Sequence, residues 1–349
     1  MIDLSSDTVT QPTREMRRVM AEAEVGDAGL GEDPTVDRLQ EAVCELLGME
    51  GAIFLPSERM ANEIAFRVWT KPGDKIILDW LSHPIHSEVS APILLCGVTI
   101  HPVHGDHGVF TEEDVLAALG SIDADLPHAA LVAVENTNYL GGGKIWPLGR
   151  LKAVSDIAKR WGVHVHMDGS RLMNAVVASG ISAREYASEV DSVTLGFTKG
   201  LGAPVGAVLA GNNSFIKEAR RYQRIIGGIM QQGGIVAAGA IYALQHNVER
   251  LAEDHSNAQL LAERLVDEEG IDIDPTEVGS NIVYFRTTNA GMTAKEFTTR
   301  LLNYGVRMGH DRNQRVRAVT HLGISRKDIF EAIDAIHRFL IDARLGAAA

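Results

Sequence analysis

Lys199 stands in the run Ser192-Val193-Thr194-Leu195-Gly196-Phe197-Thr198-Lys199-Gly200-Leu201-Gly202-Ala203-Pro204-Val205-Gly206, where an apolar stretch delivers one lysine into a turn of glycine and small residues. Upstream, Val163–Met167 reads as a second buried strand and ends in Asp168-Gly169-Ser170-Arg171. A lysine alone in a glycine-rich loop is usually just a solvated side chain. Paired with a strand-end aspartate it matches the needs of pyridoxal phosphate. The amine holds the cofactor's aldehyde carbon as a Schiff base, and the carboxylate keeps the pyridine nitrogen protonated so that the ring withdraws electrons.

Such groups need a scaffold, and the chain supplies alternating short apolar runs and helical patterns. Asp33-Pro34 opens a helix with an N-cap and a proline in its first turn, followed by Val36, Leu39, Val43 and Leu47 on one face. Arg59–Trp69 and Leu148–Trp161 read as helices. Lys75–Leu78, Ala130–Glu135, Val163–Met167, Ser192–Phe197 and Ala207–Ala210 read as strands. This alternation predicts an α/β fold with a mostly parallel sheet covered on both faces. Ligands in such folds sit beyond the carboxyl ends of strands, where Glu135, Asp168 and Lys199 fall. A long helix is expected over Gln232–Leu251. After it come a helix (Glu253–Glu268), a strand (Asn281–Arg286), a helix (Ala294–Tyr304), a strand (Arg315–Thr320) and a helix from Ser325 with a Ser325/Asp328 capping box. The expected division is a large cofactor-binding domain over 1–250, including the N-terminal segment, and a small C-terminal α+β domain over 251–349 that ends in an alanine-rich tail.

The 349 residues are 45% hydrophobic, enough for one large core and a smaller one. A net charge of −13 with no basic stripe argues against nucleic acid and anionic membranes as partners. Cys44 and Cys96 are the two cysteines, which fits a reducing, cytoplasmic setting without disulfides. The first residues lack the pattern of a signal peptide. No apolar stretch reaches the roughly 18 residues that span a bilayer.

With these motifs in place, the chain resembles the low-specificity L-threonine aldolases, β-eliminating lyase relatives within the fold type I, aspartate-aminotransferase-like pyridoxal phosphate enzymes. The resemblance runs nearly end to end. It includes I-D-L-x-S-D-T-V-T at the start, G-E-D-P-T-V at Gly31–Val36, Ala61-Asn62 and Glu135–Thr137. It continues through G-G-x-x-W-P at Gly142–Pro147, D-G-x-R at Asp168–Arg171, K-G-L-G-A-P-V-G at Lys199–Gly206, Tyr242–His255 and Val316–Leu322. It implies that Lys199 carries the Schiff base, Asp168 meets the pyridine nitrogen and His83 stacks on the cofactor ring. It also implies that Ser6, Arg171 and Arg317 hold the substrate's α-carboxylate, where arginine forks bind bidentately. A homodimer or homotetramer with shared active sites follows from the same resemblance, and no metal is implied.

Several departures from the family pattern bear on chemistry. The family turn Pro-Ser/Thr-Gly-Ser/Thr, whose backbone N–H groups cradle the cofactor phosphate, reads Pro56-Ser57-Glu58-Arg59. A family arginine is replaced by Gln231, and a nearby family lysine by Arg224, which suggests that Arg59 has taken over a phosphate-side charge. The family histidine that contacts the β-hydroxyl is Asn138, an amide that cannot accept a proton near neutral pH. His83, His86 or a bound water must then serve as base, or cleavage is slow. Leu30 replaces a tyrosine, and Ser170 adds a hydroxyl beside the ring. The expected activity is cleavage of a threonine-like β-hydroxy-α-amino acid, a small-molecule substrate, to glycine and an aldehyde. Racemisation or β-elimination on the same scaffold, and a catalytically inactive homologue, remain the alternatives.

Overall fold

A computed structural model describes residues 1–120, 127–287 and 290–347. The last two residues of the alanine-rich tail lie outside the described residues. Eleven strands are present among those described: β1 (Ile2–Leu4), β2 (Gly51–Leu55), β3 (Lys75–Asp79), β4 (Thr99–Val103), β5 (Ala129–Glu135), β6 (His164–Gly169), β7 (Ser192–Gly196), β8 (Ala207–Gly211), β9 (Ile282–Arg286), β10 (Val306–His310) and β11 (Arg315–Val319). Seven form one sheet in the order β2-β8-β7-β6-β5-β3-β4. All its pairings are parallel except those of β8, which runs against both β2 and β7. This is the fold type I arrangement.

The central strands are buried along their whole length, as in β5 and β7, because helices cover both faces. That is why they read as continuous apolar runs rather than as alternating ones. The register places Glu135 directly beside Asp168, and Asp168 beside Thr194. The carboxyl ends of β5, β6 and β7 therefore bring three functional segments to one edge.

The second sheet has the order β1-β10-β11-β9 and its own core, built from Leu4 and from residues between Ala258 and Leu340. Here the structure corrects the sequence reading. Ile2–Leu4, assigned above to the large unit, pairs with Val306–Met308 in the small sheet. The helix expected over Gln232–Leu251 is also two helices, Gly234–His246 and Leu251–Leu265. Between them the buried Asn247 side chain donates to the Leu201 carbonyl at 2.8 Å and pins a turn against the Lys199 loop. The Ser325/Asp328 capping box is formed in both directions. Among the described residues no helix is long and apolar enough to cross a membrane, and no group of three His, Cys, Asp or Glu side chains is arranged for a metal ion.

Candidate active site

A cavity of about 340 Å³ opens at the carboxyl edge of the large sheet. Asp168, Lys199, Glu135, His83 and Arg171 line it, together with Ser57, Glu58, Arg59 and Asn62 from the start of the helix Glu58–Trp69.

Asp168 is held by a chain of hydrogen bonds that begins at Trp69, the last residue of the helix Glu58–Trp69. Trp69 Nε1 donates to Ser192 Oγ at 2.8 Å, and Ser192 Oγ lies 2.9 Å from His166 Nδ1. His166 Nε2 lies 3.2 Å from Asn62 Oδ1, and Asn62 Nδ2 donates to Asp168 Oδ2 at 2.8 Å. The Asp168 carboxylate can only accept, so Asn62 turns its amide N–H to it and its Oδ1 to His166 Nε2, which fixes the direction of the chain. Ser192 gives its proton to Nδ1, His166 carries its proton on Nε2, and the amide N–H points at the carboxylate. Burial supports this by pushing His166 down to about 4, so its ring is neutral. Asp168 Oδ1 also accepts from the Ser170 N–H at 3.0 Å. Burial alone would raise Asp168, but the charge on His83 and the bond from Ser170 hold it below the usual carboxylate range. The site thus presents an oriented anion.

Glu135 is the opposite case. Burial, with the neighbouring Asp168 carboxylate, pushes it up to about 8, so it keeps its proton near neutral pH. Its oxygens accept from the backbone N–H groups of His83 and Tyr139, both at 2.8 Å. It therefore fixes the loop that carries His83. His83 Nδ1 lies 2.8 Å from Glu88 Oε1. Burial opposes a charge on His83, yet the hydrogen bond to Glu88 and the acid groups around it raise its pKa above the ordinary 6.5.

At the other end, Ser57 caps the helix Glu58–Trp69, its Oγ accepting from Met60 N at 3.2 Å. A helix start facing a cavity is a ready anion site. Glu58 turns its carboxylate into that site, with Oε1 2.8 Å from Thr198 Oγ1 and 3.3 Å from Lys199 Nζ. Gly196 permits this approach, since a Cβ there would lie 2.5 Å from Glu58 Oε1. Arg59 reaches across to the Ser87 carbonyl at 2.8 Å, tying the helix to the His83 turn.

Of the other candidate residues, Arg171 alone lines the cavity among those described. His86 bonds the Trp80 carbonyl at 2.7 Å and does not line the cavity. Asn138 is fully buried and uses Oδ1 to hold the Gly141 N–H at 2.8 Å, so its amide shapes a loop rather than the cavity wall. Arg224 lies exposed near the end of the helix Asn213–Ile225. Ser6 caps a single turn through Thr8. Arg171 gives Nε and Nη2 to the buried Asp7, both at 2.7 Å, so that fork is already filled. Arg317 gives Nη2 to the Ser5 carbonyl at 2.7 Å, while its buried Nε has no partner. Both guanidinium groups lie over the Tyr139 ring, at 5.3 and 4.8 Å. Glu135, Glu88 and Asn62 escaped the sequence reading as site residues. Glu135 at a strand end and the Ala61-Asn62 motif were the available signals; Glu88 gave none.

The donor set fits pyridoxal phosphate. An amine, an oriented anion and a helix N-terminus share one cavity, and the Glu58 carboxylate is the one group that a phosphate dianion must displace or neutralise. Fold and cavity together define a fold type I pyridoxal phosphate enzyme. A model for the beta-eliminating lyase family matches residues 3–288, and the chain belongs to that family. It is 37% identical to the low specificity L-threonine aldolase of Escherichia coli strain K12, over 97% of this chain and 99% of that one. It is 32% identical to the alanine racemase TOXG of Cochliobolus carbonum, over 97% and 87%. Among solved structures, the threonine aldolase of Leishmania major has a TM-score of 0.84 at 19% identity, covering 97% of this chain and all of that one. Serine palmitoyltransferase solved with pyridoxal phosphate has a TM-score of 0.77, also at 19% identity, over 98% and 88%.

Proposed function

We propose that this enzyme cleaves a threonine-like β-hydroxy-α-amino acid to glycine and an aldehyde. The observation that carries the reading is the convergence of Lys199, Asp168 and His83 on one cavity, in a chain that matches a threonine aldolase over nearly its whole length. When bound, pyridoxal phosphate supplies the electron-withdrawing ring that takes up the electron pair of the broken Cα–Cβ bond. Lys199 holds the cofactor's aldehyde carbon, and Asp168 offers its oriented charge to the pyridine nitrogen. Arg317 Nε and the Nη1 that Asp7 leaves on Arg171 receive the α-carboxylate and so set which Cα bond faces the ring. His83 takes the β-hydroxyl proton at Nε2 while Glu88 holds Nδ1. His86, bound to a carbonyl outside the cavity, has no part in this step. Ser57 and the first N–H groups of its helix, with Arg59, hold the phosphate.

The test is a panel of β-hydroxy-α-amino acids incubated with the purified enzyme, with aldehyde trapped and glycine counted. Stoichiometric aldehyde and glycine support the reading. A second reading, racemisation, is favoured by the full-length match to an alanine racemase and by Asn138 lying outside the cavity wall. L-alanine in the same panel, read on a chiral column, separates the two.

The proposal extends to assembly. Trp80, Val89, Ile93, Leu94 and Leu95 expose apolar side chains within one stretch beside His83 and Glu88, with Val89 81% and Leu94 77% exposed. Covering that stretch with a second copy makes a homo-oligomer whose interface borders the active site. Leu94→Glu should then shift sedimentation to a smaller species. Both cysteines are free thiols, in keeping with a cytoplasmic enzyme.

A further inference from the structure

Behind His83 lies a second layer of acid groups. Glu63, on the helix Glu58–Trp69, and Glu88, beyond the His83 turn, are both buried. Their carboxyl groups lie within hydrogen-bonding reach of each other. Each also has one buried oxygen without a donor, Glu63 Oε1 and Glu88 Oε2. Two carboxylates cannot bond without a proton between them, and two adjacent buried anions would repel strongly. Of the remaining oxygens, Glu88 Oε1 faces His83 Nδ1 at 2.8 Å and Glu63 Oε2 faces Cys96 Sγ at 3.9 Å.

We propose that Glu63 and Glu88 share one proton, and that the pair positions His83 and sets the pH at which its ring becomes charged. The inference rests on His83 as the proton acceptor proposed above, and adds the group that tunes it. Glu63 donates its proton to Glu88 Oε2, which leaves Glu88 anionic but less basic than a lone buried carboxylate. The Nδ1 proton then stays on His83, and Nε2 is the nitrogen free to accept. The surrounding charges fit this arrangement. Arg59 is the cation that acts on Glu63, Arg67 acts on Cys96, and Glu135 and Asp168 act on His83 from the strand ends. Burial and Glu88 push Glu63 up to about 9, and burial with Glu63 pushes the Cys96 thiol up to about 12. Both are neutral donors near physiological pH.

The test is made on the holoenzyme without turnover, so its outcome is independent of which substrate is cleaved. Infrared difference spectra of the wild type against Glu63→Gln, at neutral pH, should show loss of a protonated carboxylic acid C=O band. Glu135 contributes such a band too, but it cancels in the difference. In NMR titrations of the His83 ring, Glu63→Gln, whose amide still donates to Glu88, should keep the wild-type midpoint. Glu63→Leu, which removes the donor, should raise it by roughly half a pH unit or more, as Glu88 becomes the stronger partner. No lost acid band, or the same His83 midpoint in Glu63→Leu as in the wild type, overturns the proposal. So does a Glu63→Gln midpoint displaced as far as that of Glu63→Leu. If Glu63→Leu does not fold, the infrared band in Glu63→Gln decides alone.

Discussion

At the Asp168 end of the cavity, one chain of hydrogen bonds runs from Trp69 through Ser192, His166 and Asn62 to the carboxylate, and every group in it has its partner. At the phosphate end, a carboxylate occupies the helix N-terminus and is paired with Lys199 and Thr198. The first end is preorganised: its charge and direction are set before a ligand arrives. The second must rearrange for the proposed role of Lys199, because Glu58 now holds its amine. The difference teaches that the electronic half of the chemistry is built into the sheet. The grip on the cofactor depends on side chains at a helix start that must exchange their present partners.

The largest effect expected from breaking this comparison is at Lys199, which pairs with Glu58 and whose charge also acts on Asp168. Lys199→Ala should lower turnover by roughly 10⁴-fold or more, the scale seen when a covalent catalytic group is removed. Steady-state assays of glycine release check it.

Next comes the support of the substrate side. Asp7→Asn leaves the buried Arg171 charge without its counter-ion and should destabilise the fold by about 3–5 kcal/mol. The pH dependence has a definite sign. Burial raises Asp7, but the Arg171 guanidinium holds it at about 2, below the ordinary 3.8. Its contribution is therefore complete above the unfolded value of 3.8 and is lost as pH falls through about 2. Denaturation followed against pH should show this acid limb in the wild type and not in Asp7→Asn.

A smaller effect is expected within the oriented chain itself. Asn62→Leu strands His166 Nε2–H and Asp168 Oδ2, each buried, and should remove about 1–3 kcal/mol per group. The loss should appear in stability and in turnover together. At the opposite end the sign reverses: Glu58→Gly should tighten cofactor binding, by about tenfold for the roughly 1.4 kcal/mol at the low end of a charged contact. Arg59→Ala should weaken it to a similar degree. Fluorescence titration of the cofactor-free protein with pyridoxal phosphate reads both. Unchanged affinity in Glu58→Gly would erase the contrast between the two ends.

The large sheet and its ligand edge were legible because buried parallel strands write themselves as continuous apolar runs. Lys199 and Asp168 were legible for the same reason: each follows such a run directly. Ile2–Leu4 was missed because its partner, Val306–Met308, lies at the other end of the chain, and pairing across that distance leaves no local pattern. Asn247 broke an expected helix through a tertiary bond to Leu201, which no periodicity records. The substitutions at Glu58 and Arg59 were visible as departures, but their partners, Lys199 and the Ser87 carbonyl, emerge only in three dimensions. Glu63 and Glu88 carry no local pattern that marks them. Their burial comes from the packing of two distant segments.

The central claim is that His83, not Asn138 or His86, removes the β-hydroxyl proton during cleavage. The measurement that tests it most directly compares aldehyde release with Cα-proton exchange of glycine in the wild type and in His83→Ala, across pH. Cleavage by the wild type should rise with pH through the raised pKa of His83, above 6.5, since a base acts when unprotonated. In His83→Ala, cleavage should fall by roughly 10²–10⁴-fold, the usual worth of a general base, while exchange falls much less. Equal losses in both reactions, or a cleavage profile that is flat across that limb, would contradict the account.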